Sequence, residues 1–218
     1  GIEAEIVPYG VPWPVENFGA PTHSPPVVGM LALLTPWKGH LVLLDAVATL
    51  DGVVVELAGG SFTGDQAYVD QLHARAACPD LAGRVRFLGH VDSDSALRRW
   101  DVVVSASVLP EAGPLSVLEA MSHGVPVVAT DHGGPTEFLA RGEGGEERRE
   151  GGGDGVEGVL SGYVPGVQDH DLVHAVVARP PGHRRRDVAG AIELAADQKQ
   201  RHRGPVTGPR PHEGCRRS

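Results

Sequence analysis

Four loops of this 218-residue chain carry residues whose types and spacing could do chemistry, and each follows a short apolar run. After Val27–Leu31 comes Ala32-Leu33-Leu34-Thr35-Pro36-Trp37-Lys38-Gly39. If Lys38 opens a helix, its ammonium and the exposed first-turn amides would together favour a phosphate; a lysine on a plain surface loop reads the same way. After Val53–Leu57 stand Gly59 and Gly60, which admit a ligand close to the backbone and equally suit a tight turn. After Val102–Ser105 comes Glu111-Ala112-Gly113-Pro114-Leu115-Ser116-Val117-Leu118-Glu119, passing from a polar loop into an apolar helix. Free amides from Leu115 to Val117 could hold a diphosphate, and the carboxylates of Glu111 and Glu119 could accept hydroxyl donors from a sugar or ribose. Ser116-x-x-Glu119 is also the spacing of a capping box, which explains both residues without a ligand. The fourth loop, Asp131-His132-Gly133-Gly134 after Val125–Ala129, either closes over a ligand or turns the chain into its next helix.

Metal chemistry has weaker support. Asp92-Ser93-Asp94 and Asp169-His170-Asp171 have the two-carboxylate form that holds a metal in some enzymes, but Asp94 and Asp171 also precede helical segments, where acids suit the helix dipole. The eleven histidines show no ligand spacing such as HExxH. No metal is expected.

The elements that must position these loops alternate in type. Strands are expected at Val27–Leu31, Val53–Leu57, Val85–Leu88, Val102–Ser105 and Val125–Ala129. Helices are expected between them at Lys38–Leu50, Asp65–Ala77, Asp94–Arg99 and Ser116–Ser122, with a further short one near Thr136–Leu139. Strands that are apolar throughout and separated by helices are buried on both faces, so the pattern is a doubly wound α/β parallel sheet, Rossmann-like. In such a sheet ligands bind outside the carboxyl ends of the strands, where the strand order switches. Residues 1–178 form this domain. Within it, residues 142–158 hold eight glycines, eight charged residues and one valine, too little apolar surface to offset ordering, so a mobile loop is expected there. Val159–Val164 reads as a last strand and Asp171–Val177 as a helix. Residues 179–218 form a basic tail with one helix-compatible stretch, Arg186–Lys199, and little other order.

Charge and composition exclude several classes. The formal net charge is −9. The tail carries ten Lys/Arg against four Asp/Glu, which makes it +6 and the rest of the chain −15. An acidic body is a poor footprint for nucleic acid. The tail could make peripheral contact with anionic lipid, although a solvated chain end has the same composition. No run approaches the length needed to cross a bilayer, and the first residues lack the basic-then-apolar order of a secretory signal. Cys78 and Cys215 stand far apart without a CxxC partner, which speaks against a disulfide scaffold or structural zinc and for a reducing cytoplasm.

Four stretches in order carry a family resemblance. They are Val28 through Gly39, Val85-Arg86-Phe87-Leu88-Gly89-His90-Val91, Glu111 through Glu119, and Ala120-Met121-Ser122-His123-Gly124-Val125-Pro126-Val127-Val128-Ala129-Thr130. Together they resemble the donor-binding half of group 1 (family 4) retaining glycosyltransferases, whose two Rossmann-like lobes make the GT-B architecture. Two glutamates separated by seven residues and followed by Ala-Met-x-x-Gly-x-Pro-Val-Val are the most diagnostic part. Ile6-Val7-Pro8-Tyr9-Gly10-Val11 also resembles the strand that joins the two lobes.

The resemblance implies roles by position. Lys38 would neutralise the donor diphosphate and Glu111 would hold the transferred sugar's hydroxyls. Glu119 would bind the ribose diol, and backbone groups at Gly113, Leu115 and Ser116 would cradle phosphate. Gly59 and Gly60 would line the donor site, with Val91 near the base. The substrate would be a nucleotide-diphosphate sugar, with no cofactor and no metal, and the partner would be an N-terminal acceptor lobe that normally precedes this half. A degenerate binding module on the same fold, or an epimerase-like enzyme of nucleotide sugars, are the alternatives. One departure matters: where the family usually has Gly-Arg ahead of the lysine, this chain has Ala32-Leu33. A charge-assisted hydrogen bond is typically worth about 1.5–3 kcal/mol, so losing that arginine implies a donor affinity lower by roughly ten- to hundredfold.

Overall fold

A computed structural model describes residues 10–12, 23–62, 64–130, 133–135 and 138, with the backbone of two strands, Val159–Tyr163 and Leu172–Val176. Its elements run β1 (Val27–Leu31), α1 (His40–Val47), β2 (Val54–Ala58), α2 (Gln66–Ala76), β3 (Val85–Gly89), α3 (Ser93–Leu97), β4 (Val102–Ser105), α4 (Leu115–Ser122) and β5 (Val127–Ala129), followed by the two strands named above, β6 and β7. The first five strands form one sheet in the order β3-β2-β1-β4-β5, and every neighbouring pair is parallel. This is the doubly wound α/β sheet that the sequence predicts.

Alternation along the strands explains why they look uniformly apolar. Val28, Met30, Val55, Leu57, Val102 and Val104 pack against α1 and α2 through Leu43, Leu44, Val47, Tyr68 and Leu72. Their neighbours Val27, Ala58, Val103, Val127 and Ala129 face the other way, against Ala96, Leu97, Val117 and Ala120 of α3 and α4. Successive side chains leave a strand on opposite faces, and both faces here are covered by helices. A buried charge interrupts the apolar pattern. Glu56, in β2, is buried on the α3 side, where Trp100 Nε1 donates to its Oε2 at 2.9 Å. Arg86 lies 3.1 Å from its other oxygen and Arg99 3.5 Å from the first, so the buried charge is paired and bonded. The indole rests over Gly29, the register partner of Glu56, where any Cβ would lie 1.8 Å from the ring.

Several expectations are corrected. The helix read over Lys38–Leu50 is two pieces: a 3-10 turn at Pro36–Lys38, then α1 from His40. Gly39 separates them at φ +77°, and a Cβ there would stand 1.8 Å from the carbonyl oxygen of Ala106. The chain must pass hard against the loop after β4, which only glycine permits. Lys38 therefore ends a short turn and does not open a helix. Asp171–Val177, read as a helix, holds instead β7 (Leu172–Val176), antiparallel to β6; an apolar run of that length fits either period, and a neighbouring strand decides it. Helix α3 begins at Ser93 because the Asp92 side chain accepts from Ser95 N at 2.9 Å, a regular N-cap. Among the described residues no helix is long and apolar enough to cross a membrane. The expectations for residues 1–9, the glycine-rich stretch 142–158, Asp169-His170-Asp171, the Arg186–Lys199 helix and the basic tail lie outside the described residues, as does most of Thr136–Leu139.

Candidate functional site

The strand order reverses between β1 and β4, so the loops leaving those two strands flank the crevice where such sheets bind ligands. They are fastened to each other. Val108 N donates to Trp37 O at 2.8 Å, beside the close passage of Gly39 under Ala106. Across this seam Lys38 Nζ meets Glu111 Oε2 at 2.7 Å, with both side chains largely buried. Lys38 also lies 4.2 Å from the centroid of the Trp37 ring, a cation–π distance. Ser107 Oγ donates to the other carboxylate oxygen of Glu111.

The loop after β5 completes the support of Glu111. Thr130 Oγ1 donates to Ser107 O at 2.7 Å, and Gly134 N donates to Glu111 O at 2.6 Å. A parallel bridge pairs Glu111 with Gly133. Glu111 is thus held from three strand ends at once, and the sequence carried no signal for Ser107 or Thr130 as its supports. Of the fourth loop, Gly133 and Gly134 stand here, while Asp131 and His132 lie outside the described residues.

Gly59 and Gly60 join the same edge from β2. Gly59 N donates to Gly89 O at 2.7 Å and Leu34 N to Gly60 O at 2.8 Å. A Cβ on Gly59 would stand 1.9 Å from Ala32 O, whereas one on Gly60 would meet nothing within 4 Å. Gly59 is required by packing between loops, and Gly60 faces open space. Val91, after β3, is half-buried and packs on the α3–α4 core.

Helix α4 carries the remaining candidates. It starts at Leu115, its N-cap is Pro114, and no side chain caps it. Ser116 sits inside the first turn, so the capping box read from Ser116-x-x-Glu119 is not formed. Val117 N is taken up by Pro114 O at 3.0 Å, which leaves Leu115 and Ser116 as the first-turn amides beyond the reach of an intrahelical acceptor. Gly113 precedes them in the loop. Glu119 is half-buried one turn on, and Ser93 Oγ donates to its Oε1 at 3.4 Å. Burial pushes its carboxyl above the usual range, with the Ser93 bond and the nearby His123 acting against that shift. The structure therefore brings Lys38 and Glu111 into contact and sets Glu119 in a second cluster with Ser93, the two joined by the segment from Glu111 to Glu119.

Two further features belong to this edge. His40, at the start of α1, is buried with neither ring nitrogen meeting a hydrogen-bond partner, as is the Thr35 hydroxyl. Burial, aided by the Lys38 charge, lowers the His40 pKa to about 4 against the opposing effect of the Ala32 and Thr35 carbonyls, so its imidazole is neutral at ordinary pH. Among the described residues the exposed large apolar side chains are Leu33, Trp37, Phe62, Leu109 and Leu115, all on loops that leave the carboxyl ends of strands or on the first residue of α4. The two aspartates of Asp92-Ser93-Asp94, which only resemble a metal-holding pair, have these partners: Asp92 caps α3, and Asp94 binds Arg98 at 2.7 Å and His123 at 2.7 Å.

Strand order, a cation and carboxylate meeting at the switch point, and the start of α4 beside them define a doubly wound α/β domain, a class that binds ligands at the carboxyl edge of its sheet. The family described as Glycosyl transferases group 1 matches residues 16–146, and this chain belongs to that family. It is 37% identical over 121 residues to a lipopolysaccharide core biosynthesis glycosyltransferase of Rhizobium meliloti, covering 55% of this chain and 34% of the relative. It is 35% identical over 151 residues to a phosphatidyl-myo-inositol mannosyltransferase of Mycolicibacterium smegmatis, covering 66% and 36%. Among solved structures, the Anabaena protein HepE in complex with UDP and glucose matches with a TM-score of 0.50 at 38% identity, over 51% of this chain and 31% of that one. The chain spans about a third of the length of these relatives.

Proposed function

We propose that this chain is the nucleotide-diphosphate-sugar-binding lobe of a retaining, family 4 glycosyltransferase with the GT-B architecture, which transfers a hexose-type sugar to an acceptor hydroxyl without a metal. The observation that carries this reading is the Lys38–Glu111 contact at the switch point, beside the opening amides of α4. A diphosphate seated there would draw the Lys38 ammonium from Glu111. That would free a carboxylate, still held by Ser107, to accept the hydroxyls of the transferred sugar. Glu119 would take the ribose diol, Gly60 would border the donor, and Val91 would lie near the base. In this reading the acceptor hydroxyl attacks the anomeric carbon on the face the diphosphate leaves. The new C–O bond forms as the old one breaks, and the leaving phosphate oxygen takes the acceptor's proton. Catalysis is then mainly electrostatic stabilisation of the departing group by Lys38 and the α4 amides. The acceptor would be held by an N-terminal lobe, and the exposed apolar residues along the carboxyl edge suit a cleft wall that such a lobe would face.

A second reading, a non-catalytic binding module, draws on Leu33. This residue is 38% exposed where the resemblance calls for a second phosphate-binding cation.

Calorimetry with UDP, GDP and ADP, each with and without EDTA, tests the main reading. At least one diphosphate should bind, EDTA should leave that affinity unchanged, and Glu119→Gln should weaken it by about tenfold or more without lowering the melting temperature. Loss of binding on chelation would contradict the metal-free assignment. A melting temperature that falls in Glu119→Gln while affinity holds would return Glu119 to a structural role.

A further inference from the structure

The start of α3 clasps α4 at two points one turn apart, and only one of them touches a candidate ligand group. At the lower point His123 Nε2 lies 2.7 Å from Asp94 Oδ1 while its Nδ1 lies 2.8 Å from the backbone oxygen of Glu119; this contact fastens helix to helix. At the upper point Ser93 Oγ reaches the Glu119 carboxylate itself. Asp92 is no substitute, because its side chain caps Ser95 N and its charge repels that of Glu119. Ser93 also stands two residues beyond Val91, on the stretch that leaves β3, so one side chain joins the loop near the base to the carboxylate assigned to the ribose.

We infer that Ser93 is a positioning residue for ribose recognition, its hydroxyl holding one oxygen of Glu119 so that the other faces the 2′- and 3′-hydroxyls of a nucleoside diphosphate. This rests on the assignment of Glu119 in the proposed function. An unheld glutamate samples several rotamers and must be ordered when the ligand arrives, which weakens binding of the diol alone. A nucleotide lacking both hydroxyls gains nothing from the arrangement. The worth of Ser93 should therefore appear in the ratio of ribo- to dideoxynucleotide affinity rather than in either alone.

The test is calorimetry on the 218-residue chain with whichever of UDP, GDP and ADP binds most tightly and with its 2′,3′-dideoxy counterpart. Ser93→Ala should lower the ribonucleotide affinity about two- to tenfold, the worth of one hydrogen bond, and leave the dideoxynucleotide affinity unchanged. Ser93→Thr should restore the ratio, and Ser93→Ala added to Glu119→Gln should cost nothing more. An unaltered ratio in Ser93→Ala, or equal losses for both nucleotides, overturns the inference while the donor-site reading stands. An unaltered ratio in Glu119→Gln overturns the ribose role of Glu119 and this inference together. Failure of all three diphosphates to bind overturns the reading of the site as a whole.

Discussion

At the residue scale the candidate site holds little unpaired positive charge among the described residues. Lys38 is bonded to Glu111, and at position 33, where the family resemblance calls for an arginine, stands an exposed leucine. Leu33→Arg should supply the missing cation, because the side chain already projects into solvent and displaces nothing from the core. Its expected effect is a diphosphate affinity tighter by about tenfold or more, read by calorimetry; an unchanged affinity would mean that this position does not face the phosphates. Lys38→Ala should have the opposite effect, reducing affinity by roughly ten- to hundredfold. The types of these residues and the candidate roles of Lys38, Glu111 and Glu119 were legible in the sequence. Their pairing was not. Glu111 meets Lys38 across loops that leave different strands, and Ser107 and Thr130, which hold that loop, look in sequence like any small polar residues.

At the scale of the element, a local pattern can be present in sequence and not be formed in the fold. Ser116-x-x-Glu119 has the spacing of a capping box, yet the N-cap of α4 is Pro114, two residues earlier. Ser116→Ala should therefore change stability by less than about 0.5 kcal/mol in thermal melts, against the ~1 kcal/mol typical of a lost cap. Helix α1 gives the pH prediction. Burial brings the His40 imidazole down to about 4 in the folded chain, against an ordinary 6.5. Above that ordinary value both folded and unfolded states are neutral and the group adds no pH dependence. As pH falls below it the unfolded chain takes up a proton that the folded chain refuses, and stability drops until the folded pKa is passed. The full loss is about 3 kcal/mol. Denaturant titrations between pH 7 and pH 4 should show that decline, and His40→Phe should flatten it whatever its effect on stability at neutral pH.

On the scale of the whole molecule, the proposed donor site is a property of the sheet's edge. Loops after β1, β2, β4 and β5 are bonded to one another, so a ligand that bridges them must stabilise the entire fold and not one loop. A bound nucleoside diphosphate at a hundred times its dissociation constant should add about 2.7 kcal/mol of stability, visible as a raised melting temperature. The gain should shrink in Lys38→Ala as affinity falls. A rise of equal size in Lys38→Ala would place the ligand elsewhere.

Hydrophobic period, glycine and proline junctions, and the order of the four motifs sufficed for the α/β class, the strands of the parallel sheet and the family, because each is encoded between near neighbours in the chain. Tertiary structure alone decided the rest. It broke the first helix at Gly39, since the carbonyl of Ala106 lies where a side chain would go, and it made a strand of Leu172–Val176, since β6 lies alongside. It also buried Glu56 beneath Trp100 and joined Lys38 to Glu111. Each of these depends on groups far apart in sequence and a few ångströms apart in space, a proximity that no local spacing of residues records.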